Sequence, residues 1–210
     1  MDALSLVQAA ILLVLGYLVG SVPTSVIVAR LTRGPDPRTV GSGRTGGTNA
    51  IRALGWGRGL AVGFLDVAKG LLPVLVARWL SAGATVETLV ALAAVLGASR
   101  SVFLGFSGGR GVASGIGAML VIDWRVVALA LPVFLVVIVA TRYVSLGSLL
   151  ATATAAAVLA GLVALGGAQA VYLLYGIGAA LLIWVSHADN IDRLIHGRER
   201  KFAIPGLDRR

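Results

Sequence analysis

Long apolar runs alternate with short polar breaks along this chain, and three of the breaks carry glycine, arginine or histidine in unusual density. A helix needs roughly 20 mostly apolar residues to cross a bilayer, fewer where the membrane is locally thinned. By that rule the pattern predicts helices near 3–29, 59–80, 87–105, 112–122, 126–141, 146–165 and 170–186. The fourth and fifth are short, and Asp123-Trp124-Arg125 between them is a weak break, so five spans with a re-entrant region stand as the alternative to seven. The expected fold is all-α, a polytopic transmembrane helix bundle forming one domain over residues 1–210. No repeat of solenoid period is visible. Ala151 to Ala157 reads as a small-residue helix face for close packing. Thr32 to Val40, with Pro35 and Pro37, reads as an ordered turn or extended stretch and not as a domain boundary.

Composition sharpens the class. Hydrophobic residues make up 58% of the chain and charged residues 13%, where soluble domains carry about a quarter; mean hydropathy is +0.93. The formal net charge of +9 does not point to nucleic acid, because no row of aromatic residues for base stacking interleaves the cations. Those cations cluster beside apolar runs, which suits lipid headgroups, topology and anionic substrates. Arg30, Arg33, Arg38, Arg44, Arg52 and Arg58 lie in the first polar stretch, and Arg193, Arg198, Arg200, Lys201, Arg209 and Arg210 in the tail. Arg100, Arg110 and Arg142 flank breaks that share that side of a seven-helix path, leaving only Arg125 near the other. The expected orientation is therefore N-terminus outside and C-terminus cytoplasmic, with a tail over 187–210. The first segment opens with Asp2 and has its positive charge at the far end, so it reads as a retained span and not a signal peptide. With no cysteine, disulfide and thiolate chemistry are excluded.

The first break is Gly41-Ser42-Gly43-Arg44-Thr45-Gly46-Gly47-Thr48-Asn49. Its glycines free backbone N–H groups, and its hydroxyls and Arg52, one turn beyond Thr48, suit a phosphate. A tight turn with a solvated face is the plainer reading. No Gly-Lys-Ser/Thr follows, so this is not a nucleotide-hydrolysing loop. The second break, Gly105 to Ser114, contains Gly108-Gly109-Arg110-Gly111, either another phosphate site or a hinge where helices meet. In the third, His187 ends the last span and Asn190 shares its face if the helix continues. His187 is either a structural hydrogen-bonder or a proton acceptor with a pKa near neutrality; His196 is a weaker candidate in the charged tail. Two histidines and no cysteine do not make a zinc site. Asp66 and Lys69 sit inside the second span, as an internal ion pair or with Lys69 facing a substrate. Ser145 is a further candidate, while Glu87 and Asp123 are expected to be solvated helix ends.

At these residues the chain resembles the bacterial membrane acyltransferases that use acyl-phosphate to acylate glycerol-3-phosphate. That family carries motifs like GSGNxGATN, GFxGGKGVAT and HxxNIxRL; here they read GSGRTGGTN, GFSGGRGVAS and HADNIDRL. Asp66-Val67-Ala68-Lys69-Gly70, Arg142-Tyr143-Val144-Ser145-Leu146 and Gly197-Arg198-Glu199 extend the likeness through the chain. The resemblance implies seven helices in the bacterial inner membrane and a site facing the cytoplasm. It implies transfer of an acyl chain to the 1-hydroxyl of glycerol-3-phosphate, giving lysophosphatidate and phosphate, with no metal or redox cofactor. Family roles carry over to Ser42, Thr48, Arg52, Lys69, Ser145, His187 and Asn190. Ser42 and His187 are the expected catalytic pair. Gly43, Thr48, Asn49, Arg52, Lys69, Gly108, Gly109, Arg110, Gly111, Ser145 and Asn190 are expected to hold substrate or phosphate. The expected partners are the two substrates and membrane lipid. Arg44 and Gly47 depart from the family Asn and Ala, Arg110 from its Lys, and Gly97-Ala98-Ser99-Arg100-Ser101 from its Gly-His-Met-x-Pro, which reads as a divergent paralogue. A transporter or channel for an organic phosphate is the alternative from another class.

Overall fold

Proline breaks the first apolar run. In the computed structural model, which describes residues 3–203, α1 (Ala3–Ser21) and α2 (Thr24–Leu31) meet at Val22-Pro23 with a bend of 46°. Pro23 has no N–H to donate, and its ring crowds the preceding turn. The freed backbone is satisfied from elsewhere: Lys69 Nζ donates to the Val22 carbonyl at 3.0 Å, and Ser101 Oγ to the Ser21 carbonyl at 2.6 Å. The single span expected over 3–29 is thus a broken one. Asp2, Arg209 and Arg210 lie outside the described residues.

The chain continues through α3 (Gly47–Leu54), α4 (Trp56–Trp79), α5 (Ala84–Ser99), α6 (Val112–Thr141), α7 (Val144–Ala164), α8 (Tyr172–Ser186) and α9 (Ala188–Ile195). No strand occurs among the described residues. Three helices, α4, α6 and α7, are long and apolar enough to cross a membrane; there are five spans if each bent pair, α1 with α2 and α8 with α9, counts as one. Two short helices, α3 and α9, were not expected, because each is amphipathic and too polar for a rule based on apolar length.

Asp123 is a real break. It leaves helical geometry at φ −157° and ψ 103° inside α6. A straight helix would separate Val112 from Phe134 by about 33 Å, yet both line one cavity, so the chain turns back on itself there. Glu87 and Asp123 are not solvated ends: they are 6% and 9% exposed. Arg78 Nη2 lies 2.6 Å from Glu87, which also accepts from the Tyr172 hydroxyl at 2.9 Å, and Arg78 donates to the Val121 carbonyl. Arg125 pairs with Asp123 at 2.6 Å and donates to the Gly167 carbonyl at 2.7 Å. Ion pairing and hydrogen bonding offset much of the cost of burying these carboxylates. Arg78 therefore joins Arg125 at this end of the bundle, which was expected to hold Arg125 alone.

Helices cross closely where glycine removes the side chain. A Cβ on Gly70 would overlap the Ser114 carbonyl, and one on Gly117 the Val67 carbonyl, so α4 and the first half of α6 touch backbone to backbone. Leu12, Val74, Val90, Val95, Met119, Tyr175 and Ile183 form the shared core of α1, α4, α5, α6 and α8. Large apolar side chains such as Leu6, Phe64, Trp79, Val136 and Leu181 face outward, as lipid requires.

Candidate active site

Two glycine-bearing loops, the bend at His187 and the ends of six helices enclose a cavity of about 300 Å³. The first loop is shaped by one amide. Asn49, on α3, donates Nδ2 to the carbonyls of Pro37 at 2.7 Å, Val40 at 3.0 Å and Arg44 at 2.9 Å, and its Oδ1 accepts from the Ser42 N–H at 3.0 Å. Gly41 has φ 59° and a Cβ there would overlap Asn49 Oδ1, so the turn requires glycine. The loop then delivers Gly46, Gly47 and Thr48, the start of α3, to the cavity wall. The opening N–H groups of a helix have no partner one turn earlier and attract an anion.

Arg52 projects from the same short helix. Its guanidinium is half-buried and sits 5.8 Å from the Phe202 ring centroid. On α4, Lys69 Nζ lies 2.8 Å from Asp66 Oδ1, and Thr24 Oγ1 donates to the same carboxylate. The internal ion pair and the cavity-facing lysine are thus both present, since Asp66 and Lys69 each line the cavity.

The second loop passes behind α5. Gly109 N–H donates to the Ala98 carbonyl at 2.9 Å, and Gly111, with φ 78°, precedes α6. Arg110 Nη2 lies 3.0 Å from Asp189, whereas Arg110 Nε is buried with no partner among the described residues. Burial works to raise the Asp189 pKa, but the Arg110 and Arg193 charges outweigh it and hold the carboxyl below its usual range.

His187 stands just beyond α8, where the chain bends by 64° into α9. It is 2% exposed, and its Nδ1 lies 2.8 Å from the Ile183 carbonyl. A carbonyl only accepts, so Nδ1 carries the proton and Nε2 is left with a lone pair. Burial, with the Arg110 charge adding to it, lowers its pKa to about 4. That corrects the near-neutral value expected of an unperturbed imidazole: the ring is neutral across physiological pH. Asn190 Nδ2 donates to Glu199 at 2.8 Å, and its Oδ1 is buried with no partner among the described residues. The Ser145 hydroxyl, at the start of α7, is likewise buried and unpartnered.

Of the residues singled out in the sequence, Ser42, Thr48, Asn49, Arg52, Lys69, Gly109, Arg110, Gly111, Ser145, His187 and Asn190 line this one cavity. Gly43 and Gly108 do not; Gly43 shapes its loop at φ 69°, and a Cβ on Gly108 would lie 2.8 Å from the Ala98 carbonyl oxygen. His196 is outside, exposed and 3.3 Å from Asp192. Sequence reasoning did not assign Arg44, Asp66, Ser114, Ser148, Glu199 or Arg200 to the site, though all line it. Asp66 carried a signal, a charge within an apolar run, and Glu199 closed the Gly197-Arg198-Glu199 likeness; Arg200 carried none apart from its tail position. A second, apolar cavity of about 70 Å³ lies between α6, α7 and α8. It shares Val112, Ile116 and Phe134 with the polar one, so the charged chamber and the apolar slot adjoin.

The sequence pattern of the family described as glycerol-3-phosphate acyltransferase matches residues 10–197. A glycerol-3-phosphate acyltransferase of Anaeromyxobacter sp. (strain Fw109-5) is 45% identical over 199 residues, spanning 92% of this chain and 96% of that protein. One from Thermus thermophilus is 47% identical, spanning 90% of this chain and 92% of that protein. The crystal structure of PlsY (YgiH), an integral membrane glycerol 3-phosphate acyltransferase, in its glycerol 3-phosphate form is similar with a TM-score of 0.86 at 38% identity, over 93% of this chain and 96% of that one. The lysophosphatidic acid form has a TM-score of 0.84 at 36% identity, over the same shares.

Proposed function

This chain belongs to the glycerol-3-phosphate acyltransferase family, and from that premise we propose how its cavity carries out the transfer. It is a multi-pass membrane glycerol-3-phosphate acyltransferase. The donor is an acyl-phosphate, a mixed anhydride whose phosphate leaves readily. The site then has to hold two phosphates against their mutual repulsion, align the acceptor and stabilise charge on the acyl carbonyl.

Arg52, Thr48 and the opening N–H groups of α3 bind the phosphate of glycerol-3-phosphate. Arg110, Gly109, Gly111 and Lys69 bind that of the donor. Asn49 acts through the loop it holds, its amide being committed to backbone. Ser42, Ser145 and Asn190 align the acceptor hydroxyl and the donor. The 1-hydroxyl oxygen attacks the acyl carbon, the acyl carbon–phosphate oxygen bond breaks, and phosphate departs with its electron pair. The hydroxyl proton passes to His187 Nε2, whose basicity rises as two phosphate anions enter beside it. Lysophosphatidate and phosphate are the products. The acyl tail lies in the apolar slot of α6, α7 and α8, reached from the lipid, because moving it through water costs about 0.8 kcal/mol per CH₂.

We further assign seven crossings in one domain of the bacterial inner membrane, N-terminus outside, site and C-terminus toward the cytoplasm. The reversal at Asp123 supports the count, and the gathering of arginines around the cavity supports the orientation.

One observation carries the reading. Buried, unpartnered groups on one loop and two helices, Arg110 Nε, Ser145 Oγ on α7 and Asn190 Oδ1 on α9, converge with a neutral histidine on a cationic chamber that adjoins an apolar slot. Purified protein in detergent, given acyl-phosphate and glycerol-3-phosphate, tests it: lysophosphatidate forms without any sealed compartment. Transport of an organic phosphate across vesicles, with no product in detergent, would overturn it.

A further inference from the structure

The residues after α9 fold back over the cavity as a strap with two anchors. At the first, the Glu199 carboxylate accepts from Asn190 Nδ2 at 2.8 Å and from Arg193 Nε at 3.0 Å. At the second, Phe202 is buried, its N–H donates to the Arg142 carbonyl at 2.8 Å, and its ring meets Trp56 edge-on at 5.4 Å. The same ring lies 5.8 Å from the Arg52 guanidinium, within the range of cation–π attraction. Arg200, between the anchors, lines the cavity.

The charges around this chamber are unevenly matched. Lys69 is paired with Asp66, and Arg110 with Asp189. Among the described residues, Arg52 and Arg200 have no ion pair, and their like charges act on each other; burial first and then Arg200 lower the Arg52 pKa. Arg44 is also without an ion pair, but its charge acts on Arg110 and Asp189 instead. Arg52, half-buried, and Arg200, exposed, both line the cavity; Glu199 offsets part of the repulsion Arg200 exerts on Arg52, and a dianion converts the rest to attraction. A phosphate monoester suits such a pair, since each guanidinium presents a planar fork of donors.

We infer that the C-terminal strap is part of the acceptor site: Arg200 gives the phosphate of glycerol-3-phosphate a second guanidinium beside Arg52, and Phe202 positions Arg52 to meet it. This rests on the assignment of Arg52 to the acceptor phosphate made above. Phe202 touches no substrate and acts only through Arg52.

The test uses the full chain in detergent, with glycerol-3-phosphate varied at saturating acyl-phosphate and its binding also measured alone by calorimetry. Arg200→Ala raises KM for glycerol-3-phosphate about tenfold, the scale of one charged hydrogen bond, with kcat changed less than about twofold and KM for acyl-phosphate unmoved. Arg200→Lys recovers part of the loss. Phe202→Leu raises the same KM roughly threefold, on the scale of an exposed cation–π contact, and Phe202→Tyr restores it. If Arg52→Ala raises KM while Arg200→Ala leaves it unchanged, the strap inference is overturned and the Arg52 assignment stands. If Arg52→Ala has no effect either, the acceptor-site reading itself falls. A fall in kcat and melting temperature across all variants, with glycerol-3-phosphate binding intact, would make the strap a structural clasp and overturn the inference as well.

Discussion

Lys69 Nζ lies 2.8 Å from Asp66 Oδ1 and 3.0 Å from the Val22 carbonyl, so one ammonium group ties α4 to the proline break between α1 and α2. Asp66 in turn receives the Thr24 hydroxyl, and Ser114 Oγ donates to its backbone carbonyl at 2.9 Å. Four elements thus converge on a buried charge pair that also faces the site.

Removing one partner strands the other charge. Asp66→Ala is expected to destabilise the protein by roughly 3–5 kcal/mol, the scale for breaking a buried pair, read as a fall in melting temperature in detergent. Asp66→Asn combined with Lys69→Gln should regain most of that stability, since no net charge remains buried, yet stay inactive because the cavity has lost Lys69. Full activity in the double variant would remove Lys69 from donor binding.

Arg52→Ala should weaken the acceptor and leave the chemistry nearly intact. A lost charged hydrogen bond of about 1.5–3 kcal/mol corresponds to a KM for glycerol-3-phosphate roughly 10- to 100-fold higher. Steady-state kinetics with each substrate varied in turn checks the split.

His187 is expected to stay neutral, with the proton on Nδ1, from pH 6 to 8. Nitrogen NMR of labelled histidine in a His196→Gln background reads the tautomer directly; titration near pH 6.5 would contradict the buried geometry. The linkage sign follows from a folded pKa of about 4 below the ordinary 6.5. The unfolded chain binds the extra proton between those values, so this contribution to stability is complete above pH 6.5 and is lost as pH falls toward 4. His187→Gln should lower kcat by about 10²- to 10⁴-fold.

The apolar slot should set chain length. Ala155 on α7 lines it, and Ala155→Phe fills space that an acyl tail needs. Competition between acyl-phosphates of graded length is expected to shift preference toward shorter chains, with KM for glycerol-3-phosphate unchanged.

Close helix crossings leave no room for a methyl group. Gly117→Ala drives a Cβ into the Val67 carbonyl, where neither backbone can yield. The expected result is loss of folded protein in detergent, seen by size-exclusion chromatography; a monodisperse, active Gly117→Ala protein would mean α4 and α6 can separate without cost.

Hydropathy alone made the membrane helices legible, because lipid forces every span to be a long apolar run with its backbone bonded internally. The glycine and arginine loops were legible too, since they interrupt the apolar runs with few residue types; Ser42, Arg52, Arg110, His187 and Asn190 all reach one cavity. What the sequence left undecided depends on partners distant along the chain. Glu87 looks like a solvated helix end until Arg78 and Tyr172 close on it, and His187 looks like an ordinary titrating imidazole until burial and Arg110 depress it. Arg200 reads as one more tail cation until Phe202 folds the strap across Arg52. Local pattern fixes which segments are apolar enough to enter lipid and which loops gather glycine and arginine. Desolvation and the pairing of charges are set only by what packs against each group, and those neighbours come together only when the helices assemble.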